Sequence, residues 1–171
     1  MKNISFRTHV LPLKNELFRL ALRITLNRAD AEDVVQDTMI KIWNRREQWQ
    51  EIESMEAFAM TICKNLALDK MKKAENQNPS LDEGAEAVDD SYHADPQKQM
   101  EQRDRVALVK RLMEQLPMKQ RMCMQLRDIE GKSYKEIADI LEINEQQVKV
   151  NIFRARQTIK QKFNENEQYG L

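Results

Sequence analysis

The side chains best suited to chemistry lie near the C-terminus, in the sequence NEQQVKVNIFRAR at residues 144–156. Amide side chains hydrogen-bond to base edges, and lysine and arginine bind phosphates or guanine. The residues of this kind here are Gln146, Gln147, Lys149, Asn151, Arg154, Arg156 and the following Lys160. A charged helix face is commonly only solvated, so the spacing alone leaves DNA binding and an ordinary solvent-exposed face equally open.

A helix-turn-helix at residues 133–156 would position these side chains. Ser133 and Glu136 have the spacing of a capping box, and Asn144 with Gln147 marks the start of a second helix. In that second helix the apolar residues recur every three or four positions, which predicts one buried stripe. This stripe consists of Val148, Ile152, Ala155, Ile159 and Phe163. Two short helices, the second with a basic and amide face, are typical of a helix-turn-helix.

The composition predicts an all-α protein. Only 3 Gly and 4 Pro occur among 171 residues, and 33% of the residues are charged. Cys63 and Cys123 have no Cys or His at metal-ligand spacing, so we interpret both as core residues in a reducing cytoplasm and predict no metal or cofactor. No apolar run approaches the roughly 20 residues of a membrane span, and the N-terminus does not resemble a signal peptide.

The net charge of zero conceals an uneven distribution. Residues 1–73 carry +3, residues 74–104 carry −7 and residues 105–171 carry +4. We therefore predict two small helical domains, 1–73 and 99–171, joined by a flexible acidic linker at 74–98. The second domain contains the helix-turn-helix.

Apolar periodicity predicts three helices in the first domain. The first covers residues 8–27, the second begins with Asp30 as its N-cap, and the third runs from Ser54 to about Lys73. Trp49 lies in the polar loop between the second and third helices, where it either fills a core or offers a stacking surface. Gly131 is expected to end the helix that precedes the helix-turn-helix.

The order of these parts resembles the extracytoplasmic-function sigma factors of bacterial RNA polymerase over nearly the whole chain. DAEDVVQDTMIKIW at 30–43 is similar to the family's polymerase-binding helix, and FAMTICKNLALDKMKK at 58–73 is similar to its −10 element helix. LPMKQRMCMQLRDIEGKSYKEIADILEI, followed by VK and RAR, resembles its −35 element domain. The resemblance implies a non-enzymatic initiation factor that binds core polymerase, recognises −10 and −35 promoter elements and assists promoter melting.

The resemblance also assigns roles to residues in the first domain. Asp33, Gln36 and Asp37 form an outward acidic and amide stripe, which suits the Arg-rich coiled coil of the β′ subunit. The −10 element would be captured as a melted strand, with its bases taken out of the stack. The residues expected there are Trp49, Lys64, Asn65, Lys70, Lys72 and Lys73.

In the second domain the resemblance implies that the second helix of the pair lies in the major groove of the −35 element. We expect Gln146, Gln147, Lys149 and Val150 near base edges, Arg154 and Arg156 on phosphates, and Asn151 in either role. Gln147, Val150 and Asn151 depart from the residues usual in the family, so promoter choice is expected to be particular to this chain. Glu142 stands where the family commonly has Gly, which implies local strain if the position needs a positive φ.

The resemblance implies further partners. These are the β subunit of core polymerase and an anti-sigma factor, with all of these interactions in the cytoplasm. The acidic linker would pass through the polymerase's nucleic-acid channel and imitate RNA, or would serve only as a solvated tether.

Two other classes of function compete with this interpretation. A stand-alone repressor or activator would use only the helix-turn-helix, and such proteins generally dimerise. This alternative leaves residues 30–43 unexplained. An all-α enzyme has little support, because no nucleophile–base pair or Gly-rich phosphate loop is present.

Overall fold

A computed structural model describes residues 2–77 and 96–168, and within these ranges the chain forms seven α-helices. They are α1 (Lys14–Thr25), α2 (Arg28–Asn44), α3 (Met55–Gln77), α4 (Pro96–Glu114), α5 (Met118–Met124), α6 (Tyr134–Leu141) and α7 (Glu145–Gln168). Four shorter helical turns accompany them: Phe6–Val10, Leu11–Leu13, Arg46–Glu51 and Gln125–Ile129. The all-α prediction is confirmed. Most of the predicted acidic linker, residues 78–95, lies outside the described residues.

The helix ends in the first half differ from the predicted ones for local reasons. Regular α-helix begins only at Lys14, because the chain up to Leu13 forms π- and 3₁₀-helical turns around Pro12. Helix α2 begins at Arg28, so the prediction of Asp30 as its N-cap is wrong. Asn27 is the cap: its backbone is extended, and its side-chain oxygen accepts a 2.9 Å hydrogen bond from the Asp30 amide. Helix α3 continues past the predicted end to Gln77.

Helices α1, α2 and α3 pack on one another around an apolar core. Its fully buried residues include Leu17, Leu20, Ile24, Val34, Ile42 and Met60. Cys63 is also fully buried, and its thiol donates a hydrogen bond to the Leu17 carbonyl at 3.3 Å. Burial raises the pKa of this thiol to about 12 and that of the buried Cys123 to about 11. Both cysteines are core residues, as predicted.

The helix-turn-helix consists of α6 and α7, and both predicted caps are present. The Ser133 hydroxyl accepts from the Glu136 amide at 3.1 Å, and the Asn144 side chain accepts from the Gln147 amide at 2.8 Å. Glu142 has φ 58°, so the turn does need a left-handed residue at this position. The stripe from Val148 to Ile159 is buried as expected. Its C-terminal part packs on α4 in a second, smaller apolar cluster.

The two halves of the chain are in direct contact. Helix α6 packs against α3, and α5 packs against α1, so the first apolar core continues into the helix-turn-helix. Ion pairs also cross this contact, between Arg19 and Glu130 and from Lys132 to Glu16 and Glu56. The −10 and −35 candidate surfaces therefore belong to one packed body.

Candidate polymerase and nucleic-acid interfaces

Helix α2 presents the predicted acidic stripe to solvent. Asp33, Gln36 and Asp37 are exposed, while Val34 and Val35 between them are buried. Because residues three and four apart share a helix face, the three polar side chains form one continuous surface. The Asp33 carboxylate accepts a 3.1 Å hydrogen bond from the Lys70 ammonium on α3. This pair joins the predicted polymerase surface to the predicted −10 surface.

The same stripe continues into two large apolar side chains that the predicted surface did not include. Ile40 is 51% exposed and Trp43 is 48% exposed, three residues apart on α2. Their spacing of three and six residues from Asp37 could have indicated this shared face. The surface is thus acidic at its N-terminal end and apolar at its C-terminal end.

A groove of about 360 Å³ runs between α2 and α3 beside this surface. Its lining contains both signs of charge, from Asp30, Asp37 and Asp69 and from Lys70 and Lys73. Among the described residues no cluster of His, Cys, Asp or Glu has the arrangement of a metal site. The groove is therefore a mixed-charge surface between two helices.

Trp49 lies in the core of the first domain. Its side chain is 6% exposed, and its indole N–H donates a 3.0 Å hydrogen bond to the Ile42 carbonyl. Its ring meets that of Trp43 edge-to-face, with the centroids 6.1 Å apart. Of the two roles left open for this residue, this arrangement favours core packing, because a buried ring offers no face to a base.

The other predicted −10 residues fall into two groups along α3. Asn65, Lys72 and Lys73 are exposed, and Lys70 is partly exposed beside Asp33. Asn65 and Lys72 are seven residues apart and so share one helix face. Lys64 is only 4% exposed, which removes it from that face. Sequence reasoning could not anticipate this burial, since it depends on what packs against the helix.

Helix α7 presents most of the predicted −35 residues to solvent. Those exposed are Gln146, Gln147, Lys149, Arg154 and Arg156, and those partly exposed are Val150 and Asn151. Gln147 is also engaged locally, because its side-chain oxygen accepts from the Asn144 amide at 3.1 Å and completes a reciprocal capping box. Phe153 is 61% exposed on the same helix, and sequence reasoning passed over it.

Two cations of this surface are held in place by neighbours. The Lys149 ammonium lies 5.5 Å from the centroid of the Tyr134 ring, which also carries the Arg127 guanidinium at 4.4 Å. The Arg156 guanidinium donates two hydrogen bonds to the Asp128 carboxylate, which raise the pKa of Arg156. These contacts already restrict the side chains of Lys149 and Arg156, so less conformational entropy would be lost when the surface binds a partner.

Comparisons with known proteins identify both halves of the chain. Residues 10–77 match the family "Sigma-70 region 2" and residues 106–159 match "Sigma-70, region 4". The RNA polymerase sigma-H factor of Pseudomonas aeruginosa is 26% identical over 91% of this chain and 84% of its own length. The ECF RNA polymerase sigma-E factor of Haemophilus influenzae is 28% identical over 92% of this chain and 87% of its own.

Two solved structures share the fold. The sigma factor RpoE from Bartonella quintana, in complex with the anti-sigma factor NepR, superposes with a TM-score of 0.77 at 22% identity. That match covers 91% of this chain and 94% of the other. CnrH, in complex with the cytosolic domain of CnrY, gives a TM-score of 0.65 at 21% identity, covering 93% of this chain and 87% of the other.

With both regions matched in this order, the chain belongs to the extracytoplasmic-function group of the sigma-70 family of RNA polymerase sigma factors. Its function is that of the family, which is to direct RNA polymerase to promoters. The resemblance noted in the sequence is confirmed.

Proposed function

We propose that this chain binds core RNA polymerase through α2 and recognises the −10 and −35 promoter elements through α3 and α7. The observation that carries this assignment is the exposed stripe on α2, which a stand-alone DNA-binding protein would not need. As in the family, RNA synthesis itself belongs to the polymerase. Among the helices that the structure describes, none is long and apolar enough to cross a bilayer, and we place the protein's action in the cytoplasm.

In this proposal the acidic end of the stripe gives orientation and the apolar end gives contact area. Asp33, Gln36 and Asp37 complement an Arg-rich coiled coil of the β′ subunit, and opposite charges speed association and fix register. Docking buries the apolar surface of Ile40 and Trp43, which stabilises the complex by about 25 cal/mol per Å² of surface removed from water. Large exposed apolar side chains next to a charged surface are typical of protein interaction sites.

Retention by core polymerase without DNA tests this surface and separates a sigma factor from a stand-alone regulator. Asp37→Arg is the preferred variant, because Asp33 also contacts Lys70. We expect a loss of affinity of at least about tenfold, equivalent to about 1.4 kcal/mol. The matched control is Glu47→Arg, which makes the same change of charge at an exposed residue of the turn Arg46–Glu51, outside α2. Equal affinities for the two variants would contradict the proposal.

For the −10 element we propose that Asn65, Lys72 and Lys73 contact the melted strand, with Lys70 joining them when its pair with Asp33 opens. Lysines near a helix C-terminus also interact with the helix dipole, which by itself gives no DNA binding. Potassium permanganate footprinting of promoter opening separates these roles. Lys72→Ala/Lys73→Ala should reduce opening without reducing polymerase retention, and equal opening by variant and wild type would exclude DNA contact.

For the −35 element we propose that the exposed face of α7 enters the major groove. Gln146, Gln147, Lys149 and Val150 would lie near base edges, with Asn151 beside them, and Arg154 and Arg156 would hold phosphates. Phe153 extends this surface, since an aromatic ring can contact a thymine methyl group. In vitro transcription with core polymerase, followed by mapping of start sites, would define the promoters for these tests.

An anti-sigma factor remains a proposed partner. The similar RpoE from Bartonella quintana was solved in complex with the anti-sigma factor NepR, and CnrH was solved in complex with the cytosolic domain of CnrY. We propose that a protein of this class also binds the present chain. A small protein that co-purifies with the tagged chain and is displaced by excess core polymerase would support this proposal. A chain that purifies alone and is fully active in cells would contradict it.

A further inference from the structure

The ring of Tyr134 lies where the turn Gln125–Ile129, α6 and α7 come together. Tyr134 is the first residue of α6, directly after the N-cap Ser133, and its side chain is partly buried against the first apolar core. The Arg127 guanidinium lies 4.4 Å from the ring centroid, and the Lys149 ammonium lies 5.5 Å from it. Both distances are within the roughly 6 Å at which a ring face attracts a cation. One ring therefore holds cations from two other segments of the chain.

The ring and Arg127 are fixed by contacts of their own. The position of Tyr134 follows from the start of α6, where the Ser133 hydroxyl accepts a 3.1 Å hydrogen bond from the Glu136 amide. Arg127 is anchored to the backbone, because its Nη1 donates to the Lys132 carbonyl at 2.8 Å. Of the three side chains, Lys149 alone is fully exposed. The ring is therefore a fixed surface, and the Lys149 side chain is the part whose position depends on it.

Helix α7 is held against the same turn at a second point. The Arg156 guanidinium donates from Nε to the Asp128 carboxylate at 3.1 Å, and Asp128 is the neighbour of Arg127. Lys149 and Arg156 are seven residues apart, so both lie on the face of α7 next to the turn. This second contact fixes how α7 is placed along the turn. It therefore keeps the backbone of Lys149 beside the Tyr134 ring.

The position of a lysine ammonium decides whether the residue distinguishes DNA sequences. Lysine is a compact charge on a long flexible stem, and it binds a phosphate as readily as the acceptors of guanine. Phosphate contacts add affinity for every sequence, whereas contacts to base edges carry specificity. A ring face, unlike a carboxylate, does not neutralise the ammonium, so the held group can still donate to DNA. Contact with Tyr134 thus restricts Lys149 to one place without removing its charge.

We propose that Tyr134 is a positioning residue for recognition of the −35 element, which holds the Lys149 ammonium at one base pair of the major groove. Tyr134 sets base preference in this way without touching DNA itself. The proposal rests on the proposed function, because Lys149 reads a base only when α7 lies in the major groove. Exposed cation–π contacts are weak, so loss of the ring should lower discrimination between bases by about two- to fivefold.

Transcription by the holoenzyme, made from the full chain and core polymerase, tests this role. Discrimination is the ratio of initiation rates from templates with the preferred and a replaced base pair, at the −35 position whose preference Lys149→Ala abolishes. Tyr134→Leu, which removes the ring and stays apolar, should lower this ratio by about two- to fivefold. Tyr134→Phe keeps a ring and should keep the wild-type ratio. In the Lys149→Ala background, Tyr134→Leu should change the ratio no further, because the side chain that the ring positions is gone.

Nuclear magnetic resonance of the free, full-length protein keeps the test decisive if Tyr134→Leu reduces helicity. The ring current should move the ε-methylene signal of Lys149 upfield in wild type and in Tyr134→Phe, and an ordinary lysine shift in wild type would overturn the proposal.

The transcription assay separates the remaining outcomes. Equal discrimination by wild type and a folded Tyr134→Leu variant would refute the positioning role alone. Weaker initiation by Tyr134→Phe from all templates alike would assign the Tyr134 hydroxyl to a phosphate and would also overturn it, as would a Lys149→Ala holoenzyme that retains every wild-type base preference. A wild-type holoenzyme with no base preference in the −35 element would instead refute the proposed function.

Discussion

Replacing Trp49 with alanine separates the two roles that its position in a polar loop left open. The side chain is 6% exposed, so truncation removes a buried aromatic ring and leaves the Ile42 carbonyl without its 3.0 Å hydrogen bond. Truncating a core tryptophan costs about 3–5 kcal/mol, and the lost hydrogen bond about 1 kcal/mol. We therefore expect the free energy of unfolding to fall by about 4–6 kcal/mol, from a total of about 5–15 kcal/mol for a typical protein.

Urea denaturation followed by circular dichroism measures this change. Trp43→Ala is the matched control within the same aromatic cluster, and because its ring is 48% exposed it should cost about half as much. Trp49→Phe should cost only about 1–2 kcal/mol, since it keeps a ring in place and removes the N–H donor. A Trp49→Ala protein as stable as wild type but unable to open promoters would refute the packing argument and favour the stacking role.

Other predictions concern the DNA-reading helix, the turn and the cysteines. Lys149→Ala should alter base preference within the −35 element by about 1–3 kcal/mol, whereas Arg154→Ala should weaken all sequences alike and flatten the salt dependence. Fluorescence anisotropy on mutated duplexes would show the difference, and a uniform loss from both would contradict it. Glu142→Gly should stabilise the protein by about 1 kcal/mol, visible as a higher melting temperature, because Glu142 has φ 58°. Burial raises the pKa of Cys63 to about 12 and that of Cys123 to about 11. Alkylation of both thiols at about pH 8 should therefore be slow in the folded protein and fast in urea. Fast alkylation of the folded protein would argue against burial.

Features encoded by neighbours in the sequence were predictable, and those set by distant contacts were not. The caps at Ser133 and Asn144 follow from hydrogen bonds that span three residues, which a single sequence displays directly. The acidic stripe on α2 follows from helical periodicity in the same way. Gln125, by contrast, is a polar residue in a charged segment, yet it is fully buried because its partner Arg23 lies 102 residues away.

The exposure of the candidate site residues was hard to predict for the same reason. Lys64 and Asn65 are adjacent in sequence and both suit DNA, but only Asn65 is exposed. Which side of α3 faces solvent depends on α1, α2 and α6 together. The mistaken N-cap at Asp30 is a smaller case, since Asn27 and Asp30 are both good capping residues and backbone geometry selects the first.

Gln147 belongs to the capping box of α7 and also to the proposed DNA-binding surface, which affects how promoter specificity can evolve in this chain. Its side chain helps to fix the start of α7, and losing one hydrogen bond of this kind costs about 0.5–1.5 kcal/mol. A mutation here would therefore alter the start of the helix and the proposed DNA contact together, so most replacements should carry a stability penalty. Val150 and Phe153, which we also propose to contact DNA, are outside the cap, so substitutions there would leave the start of the helix intact. Divergence of promoter preference should accumulate at these two positions before it reaches Gln147.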